Sequence, residues 1–202
     1  MVIINTSWNK VLKHFGMLNL IKQVYFTLFG ELKATLVNEY LQRNIQLVHD
    51  NYDKYNLPRF DTYNDNKMLK INEWFKKNVR YVSDWDRIKK VEDWEDAIQD
   101  DGKGFLQSKK NGKYEMDCET GTTLQYAIAR ENRVSSEQLI FWAGRMTNGG
   151  HVALLYRADW DMDIYSMDWC YYPDPTKFEY RRKFKDLPWY VTEWFRTNDI
   201  VI

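Results

Sequence analysis

The chain of 202 residues is poor in the residues that build metal centres and disulfide frameworks: it has two cysteines, Cys118 and Cys170, and three histidines. Two cysteines make no disulfide scaffold and are too few for a zinc site of Cys ligands alone, so a reducing compartment is expected. It has no excess charge of either sign. Lys plus Arg number 29 and so do Asp plus Glu, so no global field draws the protein to phosphate backbones or anionic membranes, and no nucleic-acid partner is expected. Long apolar runs are also missing. The first residues, Met1-Val2-Ile3-Ile4-Asn5, do not lead from a basic region into an apolar one, so no secretory signal is expected. The most apolar early stretch, Met17 to Phe29, is broken by Asn19, Lys22, Gln23 and Thr27 and is too short and polar to span a bilayer. Proline is scarce, with none before Pro58.

What the chain does have is aromatic mass. Phe, Trp and Tyr make up 16% of it, with nine Trp and fourteen Tyr. Such side chains carry apolar area with polar tips and suit a packed core or the walls of a substrate groove. Trp85, Trp94, Trp142 and Trp169 are candidates for either role.

Periodicity divides the chain. From Trp8 to His49 apolar residues recur at helical spacing, among them Leu32, Leu36, Val37, Tyr40, Leu41, Ile45 and Val48. A polar loop is expected from Asn51 to Asn66. A second helix follows with Leu69, Ile71, Trp74 and Phe75 inward, ending near Val79-Arg80-Tyr81. Asp100 to Gly104 and Lys109 to Lys113 read as exposed turns. Asp117 can cap a helix starting at Cys118, with Leu124, Ala127 and Ile128 inward and an end near Asn132-Arg133. Strand-like runs come next: Gln138 to Ala143, His151 to Tyr156 after the Gly149-Gly150 turn, and Ile164 to Tyr171. Pro173 and Pro175 close that series, and Asp186-Leu187-Pro188 is expected to open a final helix through Phe195. Helix followed by antiparallel strands predicts an α+β fold. The expected organisation is a helical N-terminal extension over residues 1–60 and one domain over 61–202.

The chemistry concentrates late in the chain. A thiol at a helix N-terminus lies beside unsatisfied N–H groups and the positive dipole end, which favours thiolate and can receive an oxyanion. A nucleophilic thiol needs a base, and the base needs an orienting acceptor. His14 and His49 lie in ordinary amphipathic sequence. His151 opens a strand after a Gly-Gly turn, and Asp168 lies in the next apolar run, where a carboxylate needs a partner. Antiparallel pairing of the two runs would set Asp168 beside His151. The same residues leave other readings open: a metal site of Cys118, His151, Asp168 and Cys170, a Cys118–Cys170 disulfide, or a structural protein in which Cys170 is a buried small hydrophobe.

The order Cys118, His151, Asp168 resembles the transglutaminase-like superfamily, and within it the bacterial transglutaminase-like cysteine proteinases, which also occur in bacteriophages. Their Gly-Asp-Cys-Glu-Asp motif is matched by Met116-Asp117-Cys118-Glu119-Thr120, and their His-Ala-Val-Leu strand by His151-Val152-Ala153-Leu154. Their Leu-Asp-Asn strand is matched by Met167-Asp168-Trp169. Upstream, Ile71-Asn72-Glu73-Trp74, Tyr81-Val82-Ser83-Asp84-Trp85 and Asp93-Trp94-Glu95 are similar to the family's Asn helix and Asp/Trp segments. The likeness covers about residues 69 to 172.

It implies a papain-like core, a nucleophile helix packed on a small antiparallel sheet, with Cys118, His151 and Asp168 as a catalytic triad. Asp117, Glu119, Trp94 and Trp169 are the candidate substrate contacts. The implied activity is amide hydrolysis through a thioacyl-enzyme, with no cofactor or metal, on a peptide, protein or peptidoglycan-peptide substrate; amine acceptors are the variant. The implied alternative is a catalytically silent assembly component, as of a phage particle, docked to a protein partner through the N-terminal helices. A cytoplasmic or virion-associated setting follows. The departures are Met116, Thr120, Trp169 and the basic segment Lys109 to Lys113, of which Met116 and Thr120 are expected to reshape the pocket wall.

Overall fold

In a computed structural model the chain is described over residues 36–83, 86, 94–147, 149–170, 183–188 and 190–198. The expected helix from Trp8 is described only from residue 36. Trp85 and the Asp84 and Asp93 motif residues lie outside the described residues, as do Pro173, Pro175 and His14.

Helix α1 spans residues 36–50 and buries Val37, Tyr40, Leu41, Asn44 and Val48, the three-to-four spacing of one helical face. Asn44 is the polar member of that face. Its side chain donates to Asp96 Oδ1 at 2.9 Å and accepts from the Ala97 N–H at 2.6 Å. Tyr40 adds a bond to the Glu95 carbonyl at 2.6 Å. The stripe therefore anchors the segment over residues 95–97. Helix α2, Asn64–Asn78, buries Met68, Ile71, Asn72 and Phe75, while Leu69 and Trp74 are half-buried.

Helix α2 runs directly into β1, Val79–Tyr81, which pairs in parallel with β3, Lys113–Met116. The basic segment read as a turn is a hairpin. Strand β2, Lys109–Lys110, pairs with β3 across Asn111 and Gly112, both at positive φ (52° and 79°), as a two-residue turn of the primed type requires.

The third helix, α3, covers Cys118–Glu131. Asp117 caps it: Oδ1 accepts from the Thr120 N–H at 3.2 Å and from the Thr120 hydroxyl at 2.6 Å. Thr120 Oγ1 in turn accepts from the Asp117 N–H, closing a reciprocal box. The buried face, with Leu124, Ala127 and Ile128 as expected, packs on a sheet in the order β6-β5-β4-β7. These strands are β4 Leu139–Met146, β5 Gly149–Arg157, β6 Ile164–Ser166 and β7 Tyr190–Thr197, and the pairings are antiparallel. Alternation along β5 sends Val152, Leu154 and Tyr156 into the main core and Ala153 and Leu155 into a smaller cluster with Trp142. The architecture is the expected α+β one, a helix laid on a small antiparallel sheet.

Several expectations are corrected. The final segment is strand β7, not a helix opening at Asp186. Tyr190-Val191-Thr192 and Trp194-Phe195 are β-branched and aromatic residues, and the open edge of β4 supplies the hydrogen bonds. The β6 run stops at Ser166, so Asp168 lies in the turn beyond the strand. Trp142 is no groove wall. It is 1% exposed and edge-on to Tyr190 and Phe184. Among the described residues no helix is long and apolar enough to cross a membrane.

Candidate active site

The α3 cap fixes where the thiol stands. Cys118 is the first residue of the helix, and the first turn is pinned to β5 by Thr122, whose hydroxyl meets the Val152 carbonyl at 3.4 Å. Cys118, Asp117, Glu119, Trp94, His151 and Val152 all line one cavity of about 880 Å³. Leu36, Tyr81 and Trp194 stand exposed at its rim.

His151 enters from β5, opposite Gly144 of β4, and is 4% exposed. Its Nε2 lies 2.7 Å from Asp168 Oδ2. The β5–β6 register explains the meeting. Leu155 faces Ser166, and the Met167 N–H continues the ladder to the Leu154 carbonyl at 2.7 Å. Asp168 thereby falls across from Ala153, a diagonal neighbour of His151 on the same side of the strand. Strand pairing thus brings His151 and Asp168 together, although Asp168 sits two residues past the end of β6.

Asp168 is 1% exposed, so its charge must be met by donors. Besides His151, the Tyr190 hydroxyl donates to Oδ2 at 2.9 Å, and the Cys170 N–H donates to Oδ1 at 3.0 Å. The preceding residue is clamped separately: Gln125 Nε2 donates to the Met167 carbonyl at 2.8 Å and to Asn72 Oδ1, and Asn72 reaches the Met167 sulfur at 3.3 Å. Sequence reading assigned no role to Tyr190 or Gln125. Two polar residues on the inner faces of α2 and α3, Asn72 and Gln125, were the available signal, because a buried amide must find partners.

The thiol departs from expectation. Its helix position was expected to favour thiolate. Instead, burial pushes the Cys118 thiol well up, and the Glu119 and Asp117 carboxylates add to the effect; the Val152 backbone N–H, donating to sulfur, works the other way. The Cys118 S–H donates to Glu119 Oε2 at 3.2 Å, and Glu119 is only 3% exposed. The raised Cys118 thiol is held protonated at neutral pH.

The other sequence candidates fall as follows. Asp117 is the helix cap, 4% exposed, and Trp94 packs edge-on against Tyr40 at 5.3 Å while lining the cavity. Trp169 packs on Phe75 and Tyr81 and presses on Gly121, where an added Cβ would meet the indole at 2.2 Å. Its Nε1 is buried and without a hydrogen bond among the described residues. Met116 and Thr120 do not reshape a pocket wall: Met116 is core and Thr120 is spent in the cap box. His49 is a surface residue 2.7 Å from Glu131. Both cysteines are free thiols, which excludes a Cys118–Cys170 disulfide in this structure.

No family model matches the chain, and no curated protein matches it. Among solved structures it is similar to LapG of Legionella pneumophila. The calcium-bound form is 22% identical with a TM-score of 0.40, over 61% of this chain and 59% of that one. The EGTA-treated form is 19% identical with a TM-score of 0.42, over 64% and 61%. The chain spans about six-tenths of the length of these structures. At such TM-scores the likeness carries no argument about chemistry.

Proposed function

We propose that this chain is a cysteine-nucleophile hydrolase that cleaves an amide bond through Cys118, His151 and Asp168. The observation that carries the reading is the buried His151–Asp168 pair, joined at 2.7 Å and opening on the same cavity as the thiol at the tip of α3.

With Nε2–H donated to Asp168, the imidazole keeps the tautomer in which Nδ1 is the basic nitrogen. Because the thiol is neutral at rest, the first step is general-base catalysis rather than attack by a standing thiolate. The Cys118 proton passes to Nδ1 as sulfur bonds to the substrate carbonyl carbon, and the carbonyl electrons move to oxygen. The first N–H groups of α3 have no carbonyl partner within the helix and can receive that oxyanion. Nδ1–H then protonates the leaving amine, the C–N bond breaks and a thioester remains. Water, deprotonated by His151, attacks the thioester and releases Cys118. Asp168 holds the ring throughout, and its own donors, Tyr190 and the Cys170 N–H, keep it in place. Leu36, Tyr81 and Trp194 at the rim suit a substrate with apolar residues beside the scissile bond.

The test compares the full chain with Cys118→Ala on denatured proteins and on cell-wall peptides, reading new amino termini by mass spectrometry. New termini from the parent alone support the reading. Identical termini from both proteins, or none from either together with equal alkylation of Cys118 and Cys170, overturn it.

A further inference from the structure

Cys170 is a second sulfur beside the His–Asp pair, and the hydrolase chemistry above makes no use of its side chain. His151, Asp168 and Cys170 each bring one ligating atom, and the three atoms lie within 4.8 Å of one another. His151 and Asp168 are buried at 4% and 1% exposure, while Cys170 is half-buried, which leaves a way in from solvent.

We infer that His151, Asp168 and Cys170 form a binding site for a soft divalent cation, Zn²⁺ in kind. An imidazole, a thiolate and a carboxylate are the donor types zinc takes, with bonds of roughly 2.0–2.3 Å. Those bonds set ligand-to-ligand distances of about 3.3–3.6 Å in a tetrahedron. The His151–Asp168 contact at 2.7 Å must therefore open by about half an ångström, and the sulfur, within 4.8 Å of both, must close by no more than about 1.3 Å. Cys170 lies in a turn rather than in a strand, so the movement breaks no strand ladder.

The backbone already orders the third ligand. The Cys170 N–H donates to Asp168 Oδ1 at 3.0 Å, which folds the turn back on the carboxylate. Tyr190 donates to Oδ2 and orients a ligating carboxylate from outside, as outer partners of metal sites do. Charge balances: one carboxylate and one thiolate neutralise the ion, the Cys170 proton leaves to solvent, and the His151 proton moves from Nε2 to Nδ1 so that Nε2 can ligate. A fourth position stays open to water.

Binding rests on this donor set alone. Its consequence rests on the hydrolase reading: an ion between His151 and Asp168 occupies the basic machinery, so bound zinc switches hydrolysis off.

The experiment titrates the full chain with ZnCl₂ against a chromogenic chelator and, separately, with CoCl₂ followed by absorbance. The parent should bind one equivalent of Zn²⁺, with a thiolate-to-cobalt charge-transfer band in the near ultraviolet. Cys170→Ala should bind Zn²⁺ at least tenfold more weakly and lose the band. Cys118→Ala should bind within about twofold of the parent, which separates this site from simple poisoning of the nucleophile. Cys170→Ser repeats the test should Cys170→Ala lose its circular dichroism spectrum. Unchanged binding in the Cys170 variants, loss in Cys118→Ala instead, or no thiolate band in the parent overturns the inference. A chain that binds zinc as described but cleaves nothing would leave this site standing and overturn only the hydrolase.

Discussion

Glu119 is the charged residue that most affects the resting state of the Cys118 thiol. A carboxylate 3.2 Å from the sulfur and shielded from water opposes a second negative charge there. Burial is the larger cause and Glu119 the next, so Glu119→Gln should lower the Cys118 midpoint without restoring an ordinary thiol. The sign is direct. A raised thiol is protonated at neutral pH and becomes reactive only as pH rises. In the parent, iodoacetamide labelling of Cys118 should climb steeply above about pH 8.5, the value of a free thiol. In Glu119→Gln the same climb should begin lower, with labelling at pH 7.5 faster by roughly tenfold for each unit the midpoint falls. Mass mapping of the labelled peptide reads this, and an unchanged profile would remove Glu119 from the account.

Tyr190 acts through Asp168 and is a positioning residue. Tyr190→Phe removes one donor from Oδ2 and leaves the ring packed on Trp142. With one donor gone the carboxylate holds the ring less firmly, so kcat should fall while KM stays within about twofold. A fall in kcat of about tenfold corresponds to the one or two kcal/mol a hydrogen bond to a charged group contributes. An unchanged kcat with a raised KM would mark Tyr190 as packing only.

Among the elements, β4 is crowded at one residue. Gly144 is where β4 carries both its partner strand and the Trp142 ring. A Cβ there would meet the Thr192 carbonyl at 2.3 Å and the indole at 2.4 Å. The β4–β7 register shifts beside this residue, which marks the local crowding. Gly144→Ala should cost about 1–3 kcal/mol in denaturant unfolding, the usual range for overpacking, and should push β7 and Tyr190 away from Asp168. Activity should then fall together with the near-ultraviolet tryptophan signal; a wild-type melt would contradict the packing described here.

The turn between β5 and β6 depends on charge. Lys183 and Lys185 hold the Asp163 carboxyl down at about 2. A depressed carboxyl contributes stability above its unfolded value, near 4, and loses that contribution as pH falls from about 4 to about 2. Asp163→Asn should flatten the acid limb of the unfolding curve in that window and lower neutral stability by the same amount, a small one because the pair is largely solvated.

At the scale of the molecule, one amide joins regions far apart in sequence. Asn44 of α1 satisfies the Ala97 N–H and Asp96, more than fifty residues on, ahead of the strands that lead into the nucleophile helix. Asn44→Ala leaves the Ala97 N–H buried and unpaired and should cost about 2–4 kcal/mol, at the upper end for a lost buried bond with a second one broken beside it. Asn132 makes a similar tie at the far end of α3, donating to Tyr52, Pro58 and Ile128 and accepting from the Phe60 N–H. Val37, Leu41, Val48, Tyr52 and Leu57 belong to the same core cluster as Leu124 and Ile128. Chemical denaturation followed by tryptophan fluorescence should therefore give one transition in the parent, moved to lower denaturant in Asn44→Ala; two separate transitions would break the single-core description.

The sequence alone determined the features whose bonds close within a few residues. Asp117 before Cys118 announced a capped helix because cap and first turn are neighbours in the chain. The alternation from His151 to Tyr156 placed β5 because it is local, although Gly149 and Gly150, read as the turn before it, are the first residues of the strand. Asn111-Gly112 carried a hairpin signal in the same way, although the lysines around it read as a turn. Tertiary structure decided what depends on a distant partner. Strand β7 exists because β4 offers an open edge, Asp168 reaches His151 by a register set between two strands, and Trp142 is core because Tyr190 and Phe184 close over it. The Cys118 thiol is neutral rather than ionised because desolvation by the assembled core outweighs the local pull of the helix tip. Water is excluded by the whole fold, and no local stretch of sequence states how much of it will go.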